Sequence, residues 1–284
     1  MSRHILAALL LPMACAPAGA QTQPSVDDLL FAAGGRGDRP GDVGTATEPL
    51  AEFVPARTSE GLPLQVMLPD GPAAATVILA HGCGGYAPGR EVPWARTFRS
   101  RGFAAVAFDS WAFRGMQGGV CQTDAVTGDQ RVEDVKLVVR YLKEQSWHRG
   151  PTYIIGWSHG GQTALKASTI EGLVDKAVAI YPWCEKHHAW AVVPTQIHIG
   201  SADNWTPAYR CSALYGGLFG LGANPLGRYY EYAGAYHDYD RWMPLDKTYD
   251  GRGEGGRIEP RRQKTDPEAR ALTERRVLEF FGAM

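Results

Sequence analysis

The chain has 284 residues, 44% of them hydrophobic and 21% charged, with a formal charge of −1. That length can bury a large core in a single domain, and the composition excludes a low-complexity, collagen-like or strongly basic protein. Near-zero charge gives no electrostatic footprint for nucleic acid or a membrane surface.

The first twenty residues read separately. Arg3 and His4 precede the apolar run from Ile5 to Leu11, and Ala18-Gly19-Ala20 fits a small-x-small cleavage site. This is a signal peptide, too short to span a bilayer, and it directs the protein to the periplasm or medium. Pro12 and Met13 before Cys15 are a poor match to a lipoprotein signal, so release is expected. Once Cys15 is lost, Cys83, Cys121, Cys184 and Cys211 remain. Four cysteines in an oxidising compartment favour two disulfides, with three possible pairings. A zinc set of Cys184 with His187 and His188 lacks a second ligand pair, so no metal is expected.

Residues 21–50 form an extended lead-in rich in Gly, Pro, Asp and Thr, and residues 51–284 form one domain. Thr76 to Ala80 is a continuous apolar run before a Gly-rich turn, the mark of a strand buried on both faces. A helix over 93–101 and a strand over 104–108 follow. Val135, Val138, Val139 and Leu142 stripe a helix from Val132 to Trp147, with Asp129 or Arg131 near its start. Tyr153 to Ile155 is a strand, and a helix begins over 162–168. Further strands lie at 177–180, 195–199 and 229–232, with a helix near 207–218. Residues 244–266 read as a polar, mobile loop before a last helix from Pro267 to Phe281. Strand and helix alternating at this spacing predict an α/β fold, a mostly parallel sheet covered by helices on both faces.

A serine hydroxyl needs a base to take its proton and donors to receive the charge that develops on the carbonyl oxygen. Gly156-Trp157-Ser158-His159-Gly160 sits between a buried strand and a helix start, which makes Ser158 the candidate nucleophile of a strained elbow. The alternative is a helix N-cap. His81-Gly82-Cys83-Gly84-Gly85 follows an earlier strand, so the backbone N–H groups of Cys83 and His159 are the candidate oxyanion donors. Asp203 lies in a turn after a later strand, suited to orient a histidine or to cap the helix opened by Pro207. Asp109 is read as part of the site floor.

The base is chosen from eight histidines. His4 leaves with the signal, and His81 belongs to the oxyanion loop. His148 lies at a helix end, and His159 is too close along the chain to Ser158. His187 and His188 read as an exposed loop pair, and His198 is inside a strand. His237 remains, and it completes the chain order Ser158, Asp203, His237 used by the α/β-hydrolase fold.

Together with Asp109 to Gly115, Tyr181 to Cys184 and Gly200 to Pro207, these motifs resemble the exported, cysteine-containing branch of the dienelactone hydrolase family. The resemblance implies an α/β-hydrolase fold and hydrolysis of a small-molecule ester or lactone, with no cofactor. Two positions depart from the namesake enzymes. Ser158 stands in place of a cysteine nucleophile, and Gly82 in place of a glutamate, which points away from dienelactone toward general ester or lactone hydrolysis. A peptidase or carbohydrate-ester hydrolase with the same triad, or a non-catalytic binding protein on this scaffold, are the rival readings. The arrangement also implies bridges Cys83–Cys121 and Cys184–Cys211. Trp111, Trp157 and Trp205 are candidates to line an apolar pocket, and Arg114 to bind a substrate carboxylate.

Overall fold

A computed structural model describes residues 53–116, 121, 125–215, 224–252 and 257–284. The predicted signal peptide and the predicted 21–50 lead-in lie outside them. Two short strands come first, β1 (Val54–Arg57) and β2 (Pro63–Met67), followed by β3 (Thr76–Ala80) and α1 (Pro88–Arg99). Next are β4 (Ala104–Phe108), a single helical turn α2 (Ser110–Phe113), and α3 (Gly128–Lys143). The chain continues through β5 (Thr152–Trp157), α4 (His159–Ala167), β6 (Lys176–Ile180), β7 (Thr195–Gly200), α5 (Ala208–Tyr215) and β8 (Gly227–Tyr232). It ends with β9 (Asp246–Arg252), β10 (Ile258–Lys264) and α6 (Pro267–Phe281).

The main sheet has the order β1-β2-β4-β3-β5-β6-β7-β8. β1 and β2 pair antiparallel at one edge, β2 joins β4 antiparallel, and every strand beyond is parallel. Strand periodicity sorts the side chains onto two cores. Val77, Leu79, Ala105, Ala107, Tyr153 and Ile155 pack against Trp94 and Phe98 of α1 and Val277 and Phe281 of α6. Ile78, Ala80, Val106 and Ile154 pack against Val135, Val138 and Leu142 of α3 and Ala164 and Ala167 of α4. Each such Val, Leu, Ile or Phe contributes about 1.5–3 kcal/mol of hydrophobic stabilisation.

Helix starts follow local chemistry. α1 begins at Pro88, earlier than the 93–101 reading, because a proline costs nothing at a first turn; Pro93 is then carried inside the helix. α3 is opened by a capping box, in which the Thr127 hydroxyl accepts from the Gln130 N–H and the Gln130 side chain accepts from the Thr127 N–H. That box moves the start to Gly128, ahead of the predicted Val132. Within the polar 244–266 segment, predicted as a loop, residues 246–252 and 258–264 are strands: β9 and β10 form an antiparallel ribbon running from the pair Arg252 and Ile258 to the pair Asp246 and Lys264. Charged residues on both faces of the ribbon hide its period of two.

Candidate active site

Ser158 leaves β5 with φ 54° and ψ −116°, a conformation that turns the chain sharply into α4. Gly156 and Gly160 make the turn possible. A Cβ on Gly156 would collide with the carbonyl of Gly160, and one on Gly160 with the carbonyl of Ala80. The elbow therefore packs backbone to backbone against the end of β3, which carries His81 and Gly82. The Ser158 side chain makes no capping hydrogen bond to α4 and is only half-buried, so the N-cap alternative falls away.

Among the described residues three non-glycine positions have positive φ: Ser158, Tyr181 (38°) and Asp238 (60°). Asp238 follows His237, and the Tyr181 ring packs on the His237 ring at 4.5 Å between centroids. Strain of this kind costs about 1–3 kcal/mol per residue and persists only where the surroundings enforce it. Its concentration around one elbow and one histidine marks this place in the molecule.

His237 lies after β8 and Asp203 after β7. The His237 Nδ1–H donates to Asp203 Oδ2 at 2.7 Å, and both side chains are buried. Asp203 Oδ1 accepts from the N–H groups of Trp205 and Thr206, and its Oδ2 also accepts from the Thr206 hydroxyl. Capping and histidine orientation are thus done by the two oxygens of one carboxylate. Burial alone would lower the His237 pKa, but the charge and hydrogen bond of Asp203, with help from Asp238, outweigh it and hold the ring above its usual value. Such a histidine, with Nδ1–H fixed, presents Nε2 as the proton acceptor.

The loop that carries Cys83 lies against the elbow, where a Cβ on Gly82 would stand 3.6 Å from Ser158 Cβ. Gly82 to Gly85 form a tight turn closed by the Gly85 N–H on the Gly82 carbonyl, with Cys83 at its tip. The Trp111 indole N–H donates to the Cys83 carbonyl at 3.2 Å, and Cys83 is bonded to Cys121. His159 is the first residue of α4, where N–H groups lack intrahelical acceptors.

Beneath the elbow lies a buried polar floor that sequence reasoning missed. Asp240 accepts from the indoles of Trp94 and Trp157 and from the Tyr181 hydroxyl, at 3.1, 2.6 and 2.6 Å. Asp238 accepts from Arg90 and Arg241. Burial opposes its charge, yet Arg241 and Arg90 keep its carboxyl below the usual carboxylate range.

The candidate substrate residues fare differently. Trp111 and Trp157 are 2% and 0% exposed, with their indole N–H groups satisfied by Cys83 and Asp240, so they support the site from behind rather than line it. Both Arg114 terminal nitrogens bind the Asp134 carboxylate, at 2.7 and 2.9 Å, which ties α2 to α3 and leaves the guanidinium committed within the protein. Asp109 caps α2 by accepting from the N–H groups of Trp111 and Ala112. Trp205 alone stands at the site, half-buried, edge-on to His237 at 5.2 Å and stacked on Tyr249 of β9.

That stack is one of several ties between the ribbon and the loops that carry Asp203 and His237. The Lys264 N–H donates to the His237 carbonyl at 3.0 Å. The Asn204 amide donates to Pro260 O and accepts from the Arg262 N–H, and the Arg262 guanidinium covers the Tyr236 ring.

Cys184 is bonded to Cys211 and has no thiolate to offer a metal. Glu185, His187 and His188 do cluster, with ligand-type atoms within 4.8 Å of one another. His188 is buried, contrary to the exposed pair expected, and its Nδ1 accepts from the Glu185 N–H. The neutral ring therefore carries its proton on Nε2, the nitrogen facing the Glu185 carboxylate, and offers no lone pair there. Burial first, then the charges of His187 and Lys166, pull the His188 pKa down to about 3.

The family model described as serine aminopeptidase, S33, matches residues 71–197, a span that contains the elbow and stops short of Asp203 and His237. No curated protein matches the sequence significantly. Among solved structures, a Klebsiella pneumoniae protein assigned to the dienelactone hydrolases superposes with a TM-score of 0.62 at 16% identity, covering 81% of this chain and 98% of that one. A thermophilic esterase of Thermogutta terrifontis gives 0.56 at 16% identity, over 81% and 92% of the two chains. An esterase of Pyrococcus furiosus gives 0.52 at 19% identity, over 65% and 83%. At these identities the likeness is one of fold. With its strand order and its elbow after β5, the chain has the α/β-hydrolase fold.

Proposed function

We propose that this protein is a serine hydrolase that cleaves small carboxylic esters or lactones through an acyl-enzyme. The observation that carries the reading is the 2.7 Å bond from His237 to buried Asp203, on loops downstream of a strained, accessible, non-capping Ser158. His237 Nε2 takes the hydroxyl proton as Ser158 Oγ bonds to the substrate carbonyl carbon. The carbonyl π pair moves onto oxygen, where the N–H groups of Cys83 and His159 receive it. Collapse expels the alcohol, which takes the proton from His237, and water repeats the sequence to release the acid. No cofactor enters this scheme.

The two disulfides fit an oxidising compartment, and no described helix is long and apolar enough to cross a membrane. With the N-terminal signal pattern, the two disulfides support export to the periplasm or medium, and residues 51–284 are read as one domain. The aminopeptidase description of the matching family model favours a second reading, peptide hydrolysis by the same residues.

The test is fluorophosphonate labelling, followed by turnover of esters, lactones and aminoacyl amides of graded size. Wild type should label and turn over esters or lactones, while Ser158→Ala should lose labelling and at least about 10⁴-fold of kcat. Equal labelling of the two forms defeats the hydrolase reading. Faster turnover of amides than of esters moves the assignment to a peptidase.

A further inference from the structure

Arg131, on α3, is fully buried, and among the described residues no carboxylate oxygen lies within ion-pair distance of it. The nearby Asp134 is occupied at both oxygens by Arg114. A buried cation without a counter-ion is costly, so its surroundings should explain its retention.

Those surroundings are the two oxyanion loops. Arg131 Nη1 donates to the His81 carbonyl at 2.8 Å and to His159 Nδ1 at 3.1 Å. Its Nε donates to the Ser110 hydroxyl, and its Nη2 has no acceptor. The guanidinium lies over the Trp111 ring at 5.0 Å and the Phe108 ring at 5.6 Å. Trp111 in turn holds the Cys83 carbonyl. One nitrogen thus fastens the start of the turn that carries Cys83 to the residue that opens α4.

The histidines on either side are neutral by their bonding. His81 Nε2 accepts from the Ser110 N–H while Nδ1–H meets the Gly82 carbonyl. His159 Nδ1 accepts from Arg131, and its Nε2–H meets the Val126 carbonyl. Burial first, then the Arg131 charge, lowers the pKa of both rings, that of His159 to about 4. The Arg131 charge is therefore held between the loops and shielded from solvent, where a charge acts with little screening.

We propose that Arg131 is a positioning residue of the oxyanion site: it locks the Cys83 turn to the His159 end of α4 and holds a buried positive charge against both loops, a role that rests on the hydrolase reading of Ser158. Its effect falls on the tetrahedral intermediate, which is charged, and not on the neutral ester in the ground state.

Arg131→Met removes the charge at similar volume, Arg131→Gln keeps a donor without charge, and Arg131→Lys keeps the charge. Each folded variant is assayed for kcat, KM and inhibition by a boronic acid that mimics the tetrahedral state. Arg131→Met and Arg131→Gln should lose about 10²-fold in kcat, the scale of losing one oxyanion donor, with KM within about threefold. Boronate affinity should fall with kcat, and Arg131→Lys should recover at least about tenfold. A folded Met variant with wild-type kcat, or a loss confined to KM with boronate affinity intact, overturns the proposal. If the Met variant does not fold, equal kcat for Arg131→Lys and Arg131→Gln overturns it. Failure of the hydrolase reading itself looks different: wild type would then neither label with fluorophosphonate nor turn over any substrate.

Discussion

Asp203 divides its two oxygens between a turn and a histidine, and this division makes a test that separates the two jobs. Asp203→Asn keeps an oxygen that can accept from the Trp205 and Thr206 N–H groups, so the turn should survive. It removes the charge that holds the His237 pKa above its ordinary value. The base works only when neutral, so in wild type kcat/KM should rise with pH through an apparent pKa above that of free histidine. In Asp203→Asn this limb should move to lower pH, and kcat should fall about 10⁴-fold as the ring loses its tautomer and its counter-charge. A pH–rate profile of both forms checks it; an unmoved acid limb would mean that Asp203 does not tune the base. At this scale the nucleophile, acid and base candidates could be read from strand-end positions and chain order. Arg131 could not, because a charged residue near a helix start reads as solvent-facing. Its spacing carried a signal all the same: Arg131, Val135, Val138 and Leu142 share one helix face, and the structure buries all four.

At the scale of elements, the buried parallel strands and the last helix were legible because their hydrophobic runs are long and their boundaries chemically marked. Asp266 caps α6 and Gly282 ends it in a left-handed conformation, which leaves little freedom in its bounds. β1 and β2, of four and five residues, offer too little periodicity to see. The β9–β10 ribbon was hidden by its charge, and beyond its own ladder it is tied to the Asp203 and His237 loops. Asn204 makes two of those ties, to Pro260 and Arg262. Asn204→Ala should therefore cost about 1–3 kcal/mol, from two hydrogen bonds worth roughly 0.5–1.5 kcal/mol each. Hydrogen exchange should show the Lys264 amide, which donates to the His237 carbonyl, opening faster than in wild type. Unchanged protection at Lys264 would mean that the Trp205–Tyr249 stack and the Arg262–Tyr236 contact hold the ribbon without Asn204.

Over the whole molecule, two disulfides tie segments the sheet does not. Cys184–Cys211 joins the chain after β6 to α5 across a separation of 27 residues, and Cys83–Cys121 spans 38. The chain-entropy relation assigns these loops about 3.5 and 4 kcal/mol of stabilisation, so by stability alone the two bridges are near equals. They should differ in function. Cys184 and Cys211 are buried within the core cluster, whereas Cys83 is at the tip of the oxyanion turn. Replacing Cys184 and Cys211 together by Ala should lower Tm and leave kcat at assay temperatures below the transition within about twofold. Replacing Cys83 and Cys121 together should lower Tm by a similar amount and also reduce kcat, by up to about tenfold. The loss is bounded because Trp111 still holds the Cys83 carbonyl and Arg131 the His81 carbonyl. Combining the Cys83 and Cys121 replacements with Arg131→Met should then cost more than the sum of the separate effects, since the turn would lose two of its three fasteners and residues that share a structure do not act additively. Strictly additive effects on kcat would show that the bridge and the guanidinium act on different parts of the molecule.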